Sequence, residues 1–204
     1  MSSETEIRAR VIEYAAWKFA SNGIKGITMD ELAEQLGMSK RTLYELFRDK
    51  KSLVKECLAF FEEMKKSMSR KVFAESSNAF EALLKIYKAN LEGMQRVDKK
   101  FIEDIKKYFP EINKEREKAK ALHLKKSSEI FKKGMDEGFI VKDFDPNNLS
   151  LLLAEEMELI FSAQQFNTSK THFMEVYKTL CLIFFRGIAT SKGIEMMEKI
   201  MSEK

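Results

Sequence analysis

Residues 28–47 read T-M-D-E-L-A-E-Q-L-G-M-S-K-R-T-L-Y-E-L-F. Thr28 followed three residues later by Glu31 has the spacing of a capping box, in which hydroxyl and carboxylate satisfy backbone donors of a helix's first turn. Leu32, Ala33 and Leu36 then form an apolar stripe at helical spacing. Gly37 ends this helix, where the chain needs a left-handed residue. Ser39 caps a second helix, and Leu43, Leu46 and Phe47 give that helix its buried face. Two short helices around a Gly-containing turn make a helix-turn-helix unit. Ala33, four residues before Gly37, is small enough to let the two helices cross steeply.

The second helix leaves Lys40, Arg41, Thr42, Tyr44 and Glu45 free of the core. Residues at the start of such a helix are those offered to base edges and phosphates. From Ser39 to Lys51 five cations (Lys40, Arg41, Arg48, Lys50, Lys51) face two anions (Glu45, Asp49), a local surplus suited to a phosphate backbone. Arginine reads guanine through two parallel hydrogen bonds, whereas Ser, Thr and Tyr hydroxyls set register on phosphates. Glu45 reads first as a solvated surface residue and second as an acceptor for a cytosine amine. A helical hairpin that docks a protein partner has the same apolar pattern; the two caps and the exposed basic side chains favour DNA.

Outward from this stretch the chain reads as helix throughout. It has 204 residues, only 8 Gly and 2 Pro, 33% charged and 44% hydrophobic residues, and a net charge of +4. Few turn residues argue for an all-α chain with a buried core. Residues 1–4 read as a frayed start. Ile7, Val11, Ala15 and Phe19 mark a first helix ending near Asn22–Gly23, with Trp17 at a helix–helix seam. Gly23 and Gly26 bracket a short connection. A fourth helix starts near Ser52 and carries Leu53, Cys57, Phe60, Phe61, Met64 and Met68. Ser76-Ser77-Asn78 is a cap or loop. Phe80, Leu83, Leu84, Tyr87, Leu91 and Met94 mark a fifth helix, and Val97, Phe101, Ile105, Tyr108 and Phe109 a sixth that Pro110 terminates or offsets. Residues 111–137 form a charged helix with a thin stripe (Ile112, Ala119, Leu122, Ile130), closed by Gly134 and Gly138, after which Phe139, Ile140 and Phe144 tuck the loop down. Asp145-Pro146 opens the next helix. Between Arg96 and Lys126 cations exceed anions by eleven to six, read as a solvated face or, more sharply, as attraction of an acidic ligand or of flanking DNA.

Leu149–Phe166 and Phe173–Ala189 are apolar on more than one side. A helix apolar nearly all round must be covered on both sides, by its own core and by a second subunit. Met196, Met197, Ile200 and Met201 mark a short last helix. Cys57 and Cys181 read as buried structural thiols of a reducing compartment. Glu4, Glu6, Arg8 and Arg10 interrupt any signal-peptide core, and the apolar run from Leu180 to Phe185 is far short of a membrane span. The expected location is cytoplasmic, with no membrane partner.

The first fifty residues resemble the N-terminal domain of the TetR family of bacterial transcriptional repressors. The likeness runs from A-A-W-K-F-A-S-N-G-I through T-M-D-E-L-A and G-M-S-K-R-T-L-Y to F-R-D-K-K-S-L, about a quarter of the chain. It implies an all-α protein: a three-helix DNA-binding domain over residues 1–50, with the motif at about 28–47, and a helical-bundle regulatory and dimerisation domain over 51–204. It implies a homodimer joined through helices at about 147–166 and 171–190, bound to a palindromic double-stranded operator. Thr28 would touch a phosphate, Ser39, Lys40, Arg41 and Thr42 would face the groove, Tyr44 would give its hydroxyl to a phosphate, and Lys50 would meet the backbone. Arg41 stands where the family often has Gly, and Leu46 where it often has His, so the operator sequence is this chain's own.

No catalytic constellation is present, and the chain is not expected to be an enzyme. His123 and His172 lack partners at metal-ligand spacing, and the glycines build neither a phosphate loop nor a dinucleotide fingerprint, so neither metal nor cofactor is expected. A pocket for a small-molecule effector is expected instead. Its candidate lining is Phe60, Met64, Tyr87, Phe101, Ile105, Tyr108, Phe109, His123, Met157, Phe161, Tyr177 and Cys181, soft and aromatic walls that suit an apolar or amphipathic ligand. The family resemblance implies that such a ligand releases the repressor from its operator. The competing readings are a helical adaptor that binds protein and not DNA, and a DNA-binding regulator without an inducer.

Overall fold

The computed structural model describes the backbone of residues 2–162 and 170–202, and the side chains of these residues other than 2–3, 112–119, 157–162 and 170–171. Within them the chain forms ten helices and no strand: α1 (Ser2–Asn22), α2 (Met29–Gln35), α3 (Lys40–Leu46), α4 (Lys50–Glu75), α5 (Ala79–Met94), α6 (Lys99–Tyr108), α7 (Pro110–Asp136), α8 (Pro146–Ser162), α9 (Lys170–Ile188) and α10 (Ser191–Ser202). The fold is the all-α one read from the sequence. Helix α1 already begins at Ser2, where a frayed start was expected. Contacts gather into two compact units, residues 1–68 with 96–113 and residues 69–95 with 114–204. Residue 50, the expected domain limit, is the first residue of α4. The first unit continues past it because Leu53, Val54 and Cys57 are buried in that unit's core.

In the first unit Val11, Ala15 and Phe19 of α1 pack with Leu32 and Ala33 of α2, Leu43 of α3, Phe47, the α4 residues just named, and Phe101, Ile105 and Phe109 around α6. Ile7, placed on this stripe by spacing, is exposed. Trp17 sits at a helix seam as expected, edge-on to Phe61 at 5.2 Å. Gly23, at φ +82°, ends α1; a Cβ there would lie 3.0 Å from the Lys100 Cβ. Two bonds hold α6 in place: the Asp98 amide donates to the Ala20 carbonyl at 2.7 Å, and the Lys25 amide to Asp104 at 2.7 Å. Phe109 caps α6 and Pro110 opens α7, so the proline both ends one helix and begins the next.

In the second unit Phe80, Leu84 and Tyr87 of α5, Phe131 and Met135 of α7, Leu149 of α8, Tyr177, Cys181, Phe184, Phe185 and Ile188 of α9, and Met197 and Ile200 of α10 share one core. Gly134 does not close α7. It is buried within the helix, and a Cβ there would come within 2.6 Å of the Ile140 side chain, so its role is close approach. Gly138, at φ +78°, ends the helix alone, with the Phe139 amide donating back to the Gly134 carbonyl and the Gly138 amide to that of Met135. Phe139 and Ile140 tuck inward as expected, whereas Phe144 is exposed. Leu122, on the thin stripe expected in α7, is also exposed; Ile112 and Ala119 of that stripe lie outside the described side chains. Asp145 caps α8, accepting from the Asn147 and Asn148 amides.

Asn78 caps α5, accepting from the Glu81 amide at 2.8 Å. Glu81 in turn pairs with Lys85 at 2.6 Å and accepts from Ser77, with its side chain only 17% exposed. These bonds pull its pKa down from 4.5 to about 2. Because the folded value lies below the unfolded one, the stabilisation is complete above about pH 4.5 and fades as pH falls toward about 2. Glu81→Gln is expected to cost about 1 kcal/mol at pH 7. Urea denaturation of both proteins at pH 7 and at acid pH checks this: the difference should shrink steadily as the pH is lowered.

Candidate nucleic-acid interface

The two-helix unit is held by local bonds, which is why its geometry follows so directly from its residues. The Thr28 hydroxyl accepts from the Glu31 amide at 3.1 Å, and the Thr28 amide donates to the Glu31 carboxylate at 2.7 Å, completing the capping box. The Thr28 amide and hydroxyl, both donating to the Glu31 carboxylate, hold that carboxyl below the usual range. At the other end Gly37 has φ +66°. The Met38 amide donates to the Ala33 carbonyl at 3.0 Å and the Gly37 amide to the Glu34 carbonyl at 3.1 Å. This paired pattern needs a left-handed residue between helix and turn. Ser39 then caps α3, accepting from the Thr42 amide at 3.0 Å. Ala33, with Leu43 beside it in the core, is buried.

The face turned away from this core carries most of the residues singled out by sequence. Thr28, Ser39, Lys40, Arg41 and Tyr44 are exposed, while Thr42 and Lys50 are half-buried. Their charges are not idle in the free chain. Lys40 pairs with Asp30 of α2, which raises the lysine's pKa. Arg41 donates from Nε to Glu45 at 2.8 Å. That bond uses one of five guanidinium donors and leaves the terminal amino groups available for a planar acceptor pair. Glu45, expected as a solvated residue, is exposed but engaged in this pair. The Lys50 ammonium lies 5.9 Å from the Phe19 ring, and burial lowers its pKa. Asp49 caps α4: its carboxylate accepts from the Ser52 amide at 2.7 Å and is held below its ordinary pKa by that bond.

Arg8 was not singled out by sequence. Its guanidinium donates to the Leu46 carbonyl at the end of α3, pairs with Glu56 of α4, and lies over the Phe47 ring at 4.4 Å. One side chain therefore ties α1, α3 and α4 together and fixes the end of the basic helix. Its spacing was a usable signal, because residues 8, 11, 12 and 15 share one helical face and Val11 and Ala15 are core.

The candidate ligand residues do not form one set. Phe101, Ile105 and Phe109 are buried in the first unit, with Phe60 packed against them. Met64 and Tyr108, in the same unit, are exposed. In the second unit Tyr87, Tyr177 and Cys181 come together in the core. His123, expected to turn inward, is exposed. One position of helical phase separates an inward from an outward side chain, and the stripe in α7 was too thin to fix it. Met157 and Phe161 lie outside the described side chains. Among the described residues no group of three or more His, Cys, Asp or Glu could hold a metal ion, and no helix is long and apolar enough to cross a membrane.

Residues 11–57 match the family "Bacterial regulatory proteins, tetR family". An uncharacterized HTH-type transcriptional regulator of Bacillus subtilis (strain 168), YvaF, is 33% identical over 82 residues, 40% of this chain and 43% of that one. The HTH-type transcriptional repressor KstR2 of Mycobacterium tuberculosis is 27% identical over 88 residues, 43% of this chain and 44% of its own. The chain thus matches less than half the length of these curated relatives. Solved structures extend the likeness in fold. A TetR transcriptional regulator from Chloroflexus aurantiacus J-10-fl superposes with a TM-score of 0.68 at 17% identity, over 94% of this chain and 100% of that one. The ketosteroid transcriptional regulator KstR2 superposes with a TM-score of 0.59 at 18% identity, over 90% and 95%. Residues 11–57 are thus similar to the tetR family of bacterial regulatory proteins, and the chain as a whole has the all-α fold of the solved TetR regulators.

Proposed function

We propose that this chain is a sequence-specific DNA-binding transcriptional regulator, a homodimeric repressor released from a palindromic operator by a small apolar or amphipathic ligand. It is a regulator and not an enzyme. The observation that carries the reading is the doubly capped helix pair with Lys40, Arg41 and Tyr44 on its open face. Tyr44 and the capping hydroxyls of Thr28 and Ser39 set register on phosphates, and Lys50 supports the start of α4. Arg41 reads a base edge.

Titration against duplex from the region upstream of its own gene, at several salt concentrations, tests the reading. A protein that neutralises phosphates loses affinity steeply as salt rises; absence of binding at low salt sinks it and favours the adaptor. Tyr44→Phe should weaken binding to all duplexes alike, by about 1 kcal/mol. Arg41→Ala should cost about 1–3 kcal/mol on the preferred site and relax preference at one base pair. An Arg41→Ala protein with unchanged affinity and unchanged preference removes that assignment.

The dimer is supported by Leu151 and Leu152 of α8 and Ile183 of α9, which are large, apolar and exposed on the single chain. They lie within the segments 147–166 and 171–190; residues 157–171 fall outside the described side chains. The ligand site is placed in the second unit, around Tyr87, Tyr177 and Cys181. KstR2, by its name a ketosteroid regulator, supports a response to an apolar molecule. The ligand must favour the conformation that does not bind DNA, and DNA must weaken the ligand by the same factor. Helix α4, whose residues fall in both units, is the segment proposed to carry the change.

A further inference from the structure

Tyr87 on α5 is 5% exposed, and its hydroxyl oxygen is fully covered with no hydrogen-bond partner among the described residues. Its ring stacks on that of Tyr177 at 5.4 Å and leans on Phe185 at 5.8 Å. One helical turn beyond Tyr177, the Cys181 thiol is 2% exposed and lies in the same core as both tyrosines. A thiol sulfur is a weak acceptor. The sulfur near the Tyr87 hydroxyl is therefore too poor an acceptor to satisfy it, in a core rich in Phe80, Leu84, Phe131, Phe184 and Phe185. Buried hydroxyls in native proteins are nearly always paired, and one left unpaired disfavours the folded chain relative to phenylalanine at the same place. Phenylalanine would fill the space equally well. The hydroxyl at residue 87 thus has a use that the free chain does not satisfy.

The neighbourhood restricts what satisfies it. It is rich in donors and short of acceptors, so the missing partner brings an acceptor. The ionisable neighbour acting on Cys181 is the half-buried Glu156 of α8. Burial raises the carboxyl's pKa, as an apolar surrounding does. An anionic partner would lose its hydration among the apolar side chains of this core, so an uncharged acceptor is favoured. We infer that the Tyr87 hydroxyl is the polar anchor for an uncharged, largely apolar ligand that presents a carbonyl-type oxygen between α5 and α9. This rests on the ligand-responsive reading above and adds the chemical class of the ligand and the residue that selects it.

The test uses the full chain and a matched set of probes: methyl naphthyl ketone, ethylnaphthalene, which has the same shape without the oxygen, and naphthoate, which carries a charge. Without any probe, Tyr87→Phe should melt at or above the temperature of the unaltered protein. A fall of several degrees would mean that the hydroxyl already has a partner, a buried water included, and overturns the inference. By calorimetry the ketone should bind the unaltered chain about tenfold more tightly than the hydrocarbon. In Tyr87→Phe the two should bind alike, with hydrocarbon affinity unchanged. Preference for the ketone that survives the substitution, tightest binding by naphthoate, or binding of none of the three also overturns it. The broader reading fails separately, when the protein binds no operator duplex at low salt; release of operator duplex by ethylnaphthalene as readily as by the ketone keeps a ligand-responsive repressor and removes the anchor.

Discussion

A chain carrying Glu in place of both Leu152 and Ile183 is expected to sediment as a monomer and to lose about a hundredfold or more in operator affinity. Leu152 is 54% and Ile183 64% exposed on the single chain. Large apolar side chains left in water on adjoining helices mark a surface that a partner covers. Leu151 of α8 adds to the same exposed set. A carboxylate placed in such an interface loses its hydration and gains no counter-charge, so association is penalised on both copies of a twofold dimer. Two linked heads bind a palindrome through a high effective concentration of the second head, and separation removes that gain without touching Lys40 or Arg41. Analytical ultracentrifugation and duplex titration read the two effects. A doubly substituted chain that remains dimeric places the interface elsewhere.

Phe47→Ala should unfold or loosen the DNA-binding unit, at a cost of about 3–5 kcal/mol. The ring is 1% exposed, packed among the core residues of the first unit, and covered on one side by the Arg8 guanidinium. Its removal opens a cavity at the end of α3 and takes away the surface on which Arg8 rests. Arg8 then holds the Leu46 carbonyl and Glu56 without that support. The loss is a large fraction of the roughly 5–15 kcal/mol that holds an ordinary domain together. Trp17, the one tryptophan of the chain, lies in this unit against Phe61 and reports on it by fluorescence. Its thermal transition should fall well below that of the helical circular dichroism, which the second unit dominates, and operator binding should disappear. Coincident transitions at the unaltered temperature would show that Phe47 is not part of this core.

The local punctuation of the chain could be read without coordinates. Thr28 with Glu31, Ser39, Asn78 and Asp145 before Pro146 all bond to amides two or three residues away, and Gly37 and Gly138 adopt the left-handed backbone that few other residues tolerate. Bonds of that range depend on little beyond neighbouring residues, so residue type and spacing suffice. Apolar spacing likewise identified α1, α5, α6 and α9 and hence the all-α class.

Partners distant in sequence were another matter. Periodicity says that a side chain faces inward or outward; it does not say what it meets. Arg8 under Leu46 and Phe47, Lys40 beside Asp30, and Gly134 against Ile140 are contacts made only when helices are brought together. The aromatic residues gathered into a single expected pocket divide between two cores, because helices of similar composition pack into different units. On α8 and α9, apolar on several sides, sequence required two coverings but left open which side chains the chain itself would cover. Packing answered that, burying Leu149, Tyr177 and Phe185 and leaving Leu151, Leu152 and Ile183 in water, since a helix can turn only one face to its own core.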